Sequence, residues 1–210
     1  MSNTRKIAWF VFAFLAIGVG LYPLLYVYFG IQGIDVALRQ SKSAVLLGNT
    51  LWNIGFYGHI VFGGIALLTG WSQFSKKLRN KRLQLHRNLG KVYVGAVLIS
   101  GICAVGIGIF ATGGWVPSLG FVLLGLVWLY TTIAAYRAIR KKDLNLHQGM
   151  MIYSYAACFA AVTLRLWLPL LQFAFGEFLL AYKIVAWLCW VPNLIFASVL
   201  VRKKRLLLID

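Results

Sequence analysis

Six long apolar segments, separated by short polar stretches, make up most of this 210-residue chain. They run approximately over 7–29, 44–72, 91–111, 116–136, 150–172 and 178–201. Each segment exceeds the roughly 20 residues that an α-helix needs to cross a hydrocarbon core of about 30 Å. None shows the apolar–polar alternation that is typical of a strand. The pattern therefore predicts an all-α bundle of six membrane-spanning helices, in which residues 1–210 form a single domain.

Charge supports this membrane assignment and gives it an orientation. Only 12% of the residues are charged and 61% are hydrophobic, whereas a soluble domain has about 25% charged residues, so a soluble globular enzyme is excluded. If six helices alternate in direction, nearly all of the 21 Lys and Arg residues lie on one side of the membrane. The opposite side receives only Arg39, Lys42 and Lys183. The positive-inside rule then places both termini in the cytoplasm.

The basic loops have a sufficient explanation in the bilayer itself. The formal net charge of +17 would suggest nucleic acid in a soluble protein, but here the cations flank apolar segments. Juxtamembrane Lys and Arg residues attract anionic lipid at the cytoplasmic face. We therefore expect anionic lipid as a partner and no nucleic acid.

Two of the basic junctions resemble each other. Residues 79–87 read Arg-Asn-Lys-Arg-Leu-Gln-Leu-His-Arg, and residues 140–148 read Arg-Lys-Lys-Asp-Leu-Asn-Leu-His-Gln. Both connect an inbound helix to an outbound one, and both end in a Leu-x-Leu-His element. This predicts a parallel internal repeat of helix pairs 2–3 and 4–5, related by an axis along the membrane normal. Convergence of two basic loops is the alternative.

The repeat places His86 and His147 at equivalent depths, at the cytoplasmic boundary of the membrane. A neutral imidazole binds haem iron, and membrane b-type cytochromes take axial histidines from separate helices. One interpretation is therefore a haem b site with His86 and His147 as ligands and Arg87 near a propionate. The alternative is that each histidine caps a helix start or contacts lipid phosphate. No metal site other than haem iron is predicted.

A second candidate site lies toward the outer leaflet. Arg165 falls within the fifth segment, where a charged side chain costs about 2.5–3.5 kcal/mol unless it faces the bundle interior or water. His59 lies at a similar depth in the second segment, and Asn53, Tyr57 and Thr163 are near in sequence. Together they predict a cavity for a small molecule, a lipid headgroup or a quinone. The alternative is that Arg165 hydrogen-bonds carbonyls or extends toward the interface.

The motifs of the chain resemble a known family. They are Gly-His-Ile at 58–60, Gly-Gly-Ile-Ala-Leu-Leu-Thr-Gly at 63–70, Leu-His-Arg-Asn-Leu-Gly at 85–90, Leu-His-Gln-Gly at 146–149 and Thr-Leu-Arg-Leu at 163–166. With these motifs the chain resembles the bacterial membrane family catalogued as domain of unknown function 2306, over roughly residues 55–171. The resemblance implies a multi-pass protein of the bacterial cytoplasmic (inner) membrane. It implies no activity, but it places the three histidines and Arg165 inside the motifs.

Three hypotheses for function follow. The first is a haem-binding membrane redox or assembly protein that uses the Leu-x-Leu-His histidines. The second is a transporter or binding protein for a small molecule, lipid or quinone, with His59 and Arg165 at its site. The third is a non-catalytic scaffold subunit that acts in an oligomer. The residues leave open whether the chain is an enzyme.

Overall fold

The computed structural model describes residues 3–31 and 41–206 of the chain. The described residues are almost wholly α-helical and contain no β-strand. Within them, six helical stretches are long and apolar enough to cross a membrane: Lys6–Tyr26, Thr50–Phe74, Leu83–Gly108, Trp115–Arg140, Leu144–Phe175 and Phe178–Lys203. The all-α architecture and the six predicted spans are thereby confirmed. Arg39, one of the cations assigned to the outer side, lies outside the described residues.

The contacts divide the chain into two compact units, Met1–Cys103 and Ala104–Asp210. The helices from the first span to the third are α1 Asn3–Leu21, α2 Pro23–Ile31, α3 Ala44–Leu47, α4 Thr50–Gly70, α5 Lys76–Lys81 and α6 Leu83–Gly108. The helices from the fourth span to the sixth are α7 Trp115–Arg140, α8 Leu144–Cys158, α9 Ala160–Phe175, α10 Phe178–Leu188 and α11 Val191–Leu206. The orientation of the termini and the repeat stay predictions from the sequence.

In the first unit, α1 and α2 pack against α4 at a close crossing. A Cβ atom on Gly64 would lie only 2.6 Å from the carbonyl oxygen of Gly20, so the two backbones approach where neither residue has a side chain. Small residues are what permits such approach between membrane helices. Toward the other end of α4, the rings of Tyr26 and Phe56 meet edge to face with centroids 5.6 Å apart.

In the second unit, α8 packs along α7, α10 packs against α9 and α7, and α11 packs against α8. The hydroxyls of Thr132 and Ser154, both fully buried, hydrogen-bond across the α7–α8 contact at 2.6 Å. Gly113 and Gly114 precede α7 with φ angles of +97° and +88°. Only glycine adopts such angles readily, which explains the pair at this turn.

Several spans are interrupted, which the apolar pattern does not reveal. Proline has no N–H, so Pro23 and Pro192 leave the carbonyls of Val19 and Leu188 without their usual donors, and the helix breaks just before each proline. The fifth span breaks at Phe159, between α8 and α9. The segment predicted over 44–72 divides at Gly48 and Asn49, where the Asn49 side chain accepts a hydrogen bond from the first turn of α4.

The third and fifth spans begin earlier than their apolar cores. The sequence predicts that these spans begin at residues 91 and 150, whereas the helices begin at Leu83 and Leu144. The helices therefore include the polar residues that precede the apolar cores. The Asp143 carboxylate caps α8 by accepting a hydrogen bond from the Leu146 N–H at 2.9 Å. His86 and His147 therefore lie in the first turns of α6 and α8.

The α1–α4 crossing yields a test with a matched control. Gly64→Ala introduces a methyl group 2.6 Å from a backbone oxygen, and we expect it to lower the free energy of unfolding by about 1–3 kcal/mol. Gly95→Ala in α6 meets no atom within 4 Å, so it should leave stability unchanged or raise it by about 0.5–1 kcal/mol. Thermal unfolding in detergent measures both. Equal midpoints for the two variants would contradict the close crossing.

Candidate functional site

His147 is held by the backbone of the preceding helix. Its Nδ1 atom lies 2.9 Å from the carbonyl oxygen of Ala135, a fully buried residue of α7. A carbonyl oxygen only accepts hydrogen bonds, so Nδ1 must carry the proton and donate it. In the neutral ring the lone pair is then on Nε2. The α7–α8 contact thus selects one tautomer of His147 and fixes the orientation of its ring.

This arrangement is the one found around histidines that ligate metals. Such a histidine usually donates its second ring N–H to a carbonyl or carboxylate, which fixes the tautomer and increases the basicity of the ligating nitrogen. At His147 the acceptor is a main-chain oxygen on a neighbouring helix, so no side-chain rearrangement removes it. The chemistry available at Nε2 is ligation of a transition metal or acceptance of a proton.

His59 is fixed in the same tautomer by a different partner. Its Nδ1 atom lies 3.0 Å from Oγ and 3.2 Å from the carbonyl oxygen of Ser100 on α6. The Ser100 hydroxyl donates its proton to the backbone carbonyl of His59, at 2.9 Å. Its Oγ atom therefore accepts the hydrogen bond from His59 Nδ1. Ser100 is fully buried, and the two residues join α4 to α6 inside the span. Sequence reasoning singled out His59 but missed Ser100.

His86 differs from the other two histidines. It is half-buried in the first turn of α6. Its Nδ1 atom is shielded from solvent and makes no hydrogen bond, although the residue makes another interaction. Arg87 beside it is exposed. His86 belongs to the first unit and His147 to the second, and their joint binding of one haem stays a prediction.

The residues of the predicted outer-leaflet site are held largely by structural hydrogen bonds. Asn53 donates to the carbonyls of Leu47 and Asn49, at 2.6 and 2.9 Å, which fastens the turn between α3 and α4. Tyr57 is 38% exposed. Asn53, Tyr57 and His59 belong to the first unit, whereas Thr163 and Arg165 belong to the second, so the combined site stays a prediction.

In the second unit, Arg165 and Thr163 contact backbone carbonyls. Arg165 donates from Nη1 to the carbonyl oxygen of Ala161 at 2.8 Å, which was the structural alternative for this residue. The Thr163 hydroxyl bonds the carbonyl oxygen of Cys189 in the break between α10 and α11. The Thr163 contact supplies a donor to a main-chain carbonyl at a helix break, where a bilayer offers no water.

Asn193 completes this polar contact and was not predicted. Its Nδ2 atom donates to the carbonyls of Cys189 and Ala156 at 3.0 and 3.3 Å, and to the hydroxyl of Thr163 at 3.1 Å. It therefore links the break in the sixth span to the fifth span. Its signal in the sequence is an Asn directly after a proline inside an apolar segment.

Haem iron and a bare metal ion differ in the number of protein ligands that they require. Among residues 3–31 and 41–206, no three or more His, Cys, Asp or Glu side chains are grouped to hold a metal. A bare transition metal usually requires three or four protein ligands, whereas haem iron requires only one or two. The oriented imidazole of His147 would meet the lower of these ligand numbers.

Comparison with known proteins identifies one family. The family described as "Predicted membrane protein (DUF2306)" matches residues 56–201, well over half of the chain. This confirms the resemblance that the motifs indicated. No curated protein and no solved structure matches the chain.

The His59–Ser100 pair yields a test of its own. Ser100→Ala removes the buried hydroxyl that bonds both the ring and the carbonyl of His59, and we expect it to lower the free energy of unfolding by about 1–3 kcal/mol. Ser198→Ala is the control, because the Ser198 hydroxyl bonds only a carbonyl of its own helix, and its effect should stay within about 0.5 kcal/mol. Thermal unfolding in detergent compares them. A Ser100→Ala variant as stable as the control would exclude the interhelical role.

Proposed function

The chain belongs to the DUF2306 family of predicted membrane proteins, and from this premise we propose that it binds haem b as a membrane redox or assembly protein. His147 would hold the haem iron through Nε2. The observation that carries this proposal is the 2.9 Å hydrogen bond from His147 Nδ1 to the carbonyl of Ala135, which leaves Nε2 as the basic nitrogen of an oriented ring.

The second ligand in this proposal is His86, and it is assigned from the sequence. His86 ends the first Leu-x-Leu-His element as His147 ends the second, and Arg87 follows it as a cation suited to a haem propionate. A b haem with histidine ligands supplies one-electron transfer when it is bound. The chain's own contribution would be to orient the His147 imidazole through the carbonyl of Ala135.

Three polar residues of the predicted outer-leaflet site bond to the backbone. Asn53 and Thr163 donate hydrogen bonds to backbone carbonyls at helix breaks. Arg165 donates to a carbonyl of its own helix. These bonds stabilise the fold without any ligand. At His147 the hydrogen bond uses only Nδ1 and the neutral ring keeps its lone pair on Nε2, as it does at His59. The Leu-x-Leu-His element that His147 shares with His86 directs the proposal to His147.

Absorption spectroscopy tests the proposal directly. Protein purified in mild detergent from cells supplied with haem precursor should show a Soret band. His147→Asn should lose bound haem or change to a high-spin spectrum, because an amide can still donate to the Ala135 carbonyl but has no imidazole lone pair. Gln148→Ala, one residue further along α8, is the control and should keep the wild-type spectrum.

Chemical rescue separates ligation from folding. Adding imidazole to His147→Gly should restore the low-spin spectrum, since the free ring can occupy the space of the missing side chain. A folded, colourless wild-type protein, or a His147→Asn variant with an unaltered Soret band, would overturn the proposal.

A further inference from the structure

A groove of about 510 Å³ opens at the break between α10 and α11. It is lined by Ile184, Trp187, Leu188, Val191 and Pro192, and its walls are almost entirely apolar. The groove is shallow and open, so it suits a chain that lies along the surface of the protein. The groove coincides with the helix break before Pro192.

One wall of the groove is rigid. The indole Nε1 of Trp187 donates to the carbonyl oxygen of Val116 in the first turn of α7, at 3.2 Å. The ring also packs over Gly120, whose Cβ position would lie 3.2 Å from it. The Trp187 ring is therefore held against α7, and an occupant meets a fixed aromatic surface.

A cation lies one helical turn from the groove. Lys183 precedes Trp187 by four residues, so the two side chains share a face of α10. The Lys183 stem lies against the turn before α7, with Cε 3.5 Å from the Cβ position of Gly113, and the residue is exposed. Along the helix axis, Glu177 lies ten residues, or about 15 Å, from Trp187. Lys183 lies only four residues, or about 6 Å, from Trp187, so the cation is the charge nearer to the groove.

The length of this surface matches one leaflet of a bilayer. The sixth span begins at Phe178, and the groove ends at Pro192, near the middle of the span. From Lys183 to Pro192 the helices rise about 13 Å, close to half of a hydrocarbon core of about 30 Å. Lysine side chains near a helix end extend their ammonium group to the headgroup layer.

We propose that this surface is a lipid site, in which the groove holds one acyl chain of an anionic phospholipid and Lys183 binds the headgroup phosphate. The apolar walls exclude a polar ligand, and the cation at one end selects an anionic headgroup. The lipid belongs to the leaflet at the Phe178 end of the span, opposite the end that carries Arg202 and Lys203. This site is independent of the haem proposal.

Native mass spectrometry tests the site with protein delipidated and titrated with phosphatidylglycerol or phosphatidylcholine. Lys183→Gln should lower the wild-type preference for phosphatidylglycerol about fivefold, which corresponds to the roughly 1 kcal/mol that one lysine contributes near anionic lipid. Lys183→Arg should keep the wild-type preference. Val191→Phe should fill the groove and reduce retention of both lipids severalfold.

Two control variants assign the effect to this surface. Lys203→Gln removes an exposed cation at the other end of the span, and Leu126→Phe enlarges an exposed apolar residue of α7. Leu126→Phe should bind lipid as the wild type does. In the Lys203→Gln background, Lys183→Gln should still lower the phosphatidylglycerol preference about fivefold, because the two cations lie at opposite ends of the span. Unchanged binding in Lys183→Gln and Val191→Phe would overturn the proposal, as would an effect of Lys183→Gln that disappears in the Lys203→Gln background.

Discussion

In a bilayer core there is no water to hydrogen-bond a free carbonyl or N–H group, so the protein itself must satisfy every main-chain polar group. This constraint explains why the spans are helices and what happens where they are interrupted. Before Pro192 the sixth span breaks, and Asn193 and Thr163 donate to the carbonyl of Cys189 at that point. At the start of α4, the Asn53 side chain donates to the carbonyls of Leu47 and Asn49. The intramembrane polar side chains are thus explained first by the backbone they stabilise.

The same constraint acts on the histidines and gives them their chemical character. His147 and His59 each donate from Nδ1 to acceptors on a neighbouring helix, Ala135 in one case and Ser100 in the other. Each contact stabilises helix packing and simultaneously places the lone pair of the ring on Nε2. Structural and functional interpretations of these residues are therefore compatible. The hydrogen bond that orients the His147 ring also places its lone pair on Nε2, the atom on which the proposed function depends.

The sequence was sufficient for the spans because their apolar residues are continuous over membrane-crossing lengths. It did not locate the interruptions at Phe159 or at Gly48 and Asn49, since hydropathy is summed over a window and does not register a local change of hydrogen bonding. Ser100 was missed because its partner His59 is 41 residues away, and no spacing rule connects them. Asn53 and Thr163 were recognised as unusual, but only their contacts reveal that they serve the backbone. His147 was identified by the repeated motif, whereas its tautomer depends on Ala135, a residue with no polar side chain.

The protonation of the two ring nitrogens is the most direct measure of this arrangement. ¹⁵N NMR of haem-free protein labelled at histidine and reconstituted in bilayers distinguishes a protonated from an unprotonated ring nitrogen, and His59→Gln and His147→Asn assign the signals. In the neutral form of the rings, both His59 and His147 should carry the proton on Nδ1, and Nε2 should be unprotonated. If His147 carries its proton on Nε2 and its Nδ1 is unprotonated, the hydrogen bond to Ala135 is contradicted. Ligation through Nε2 then loses its basis.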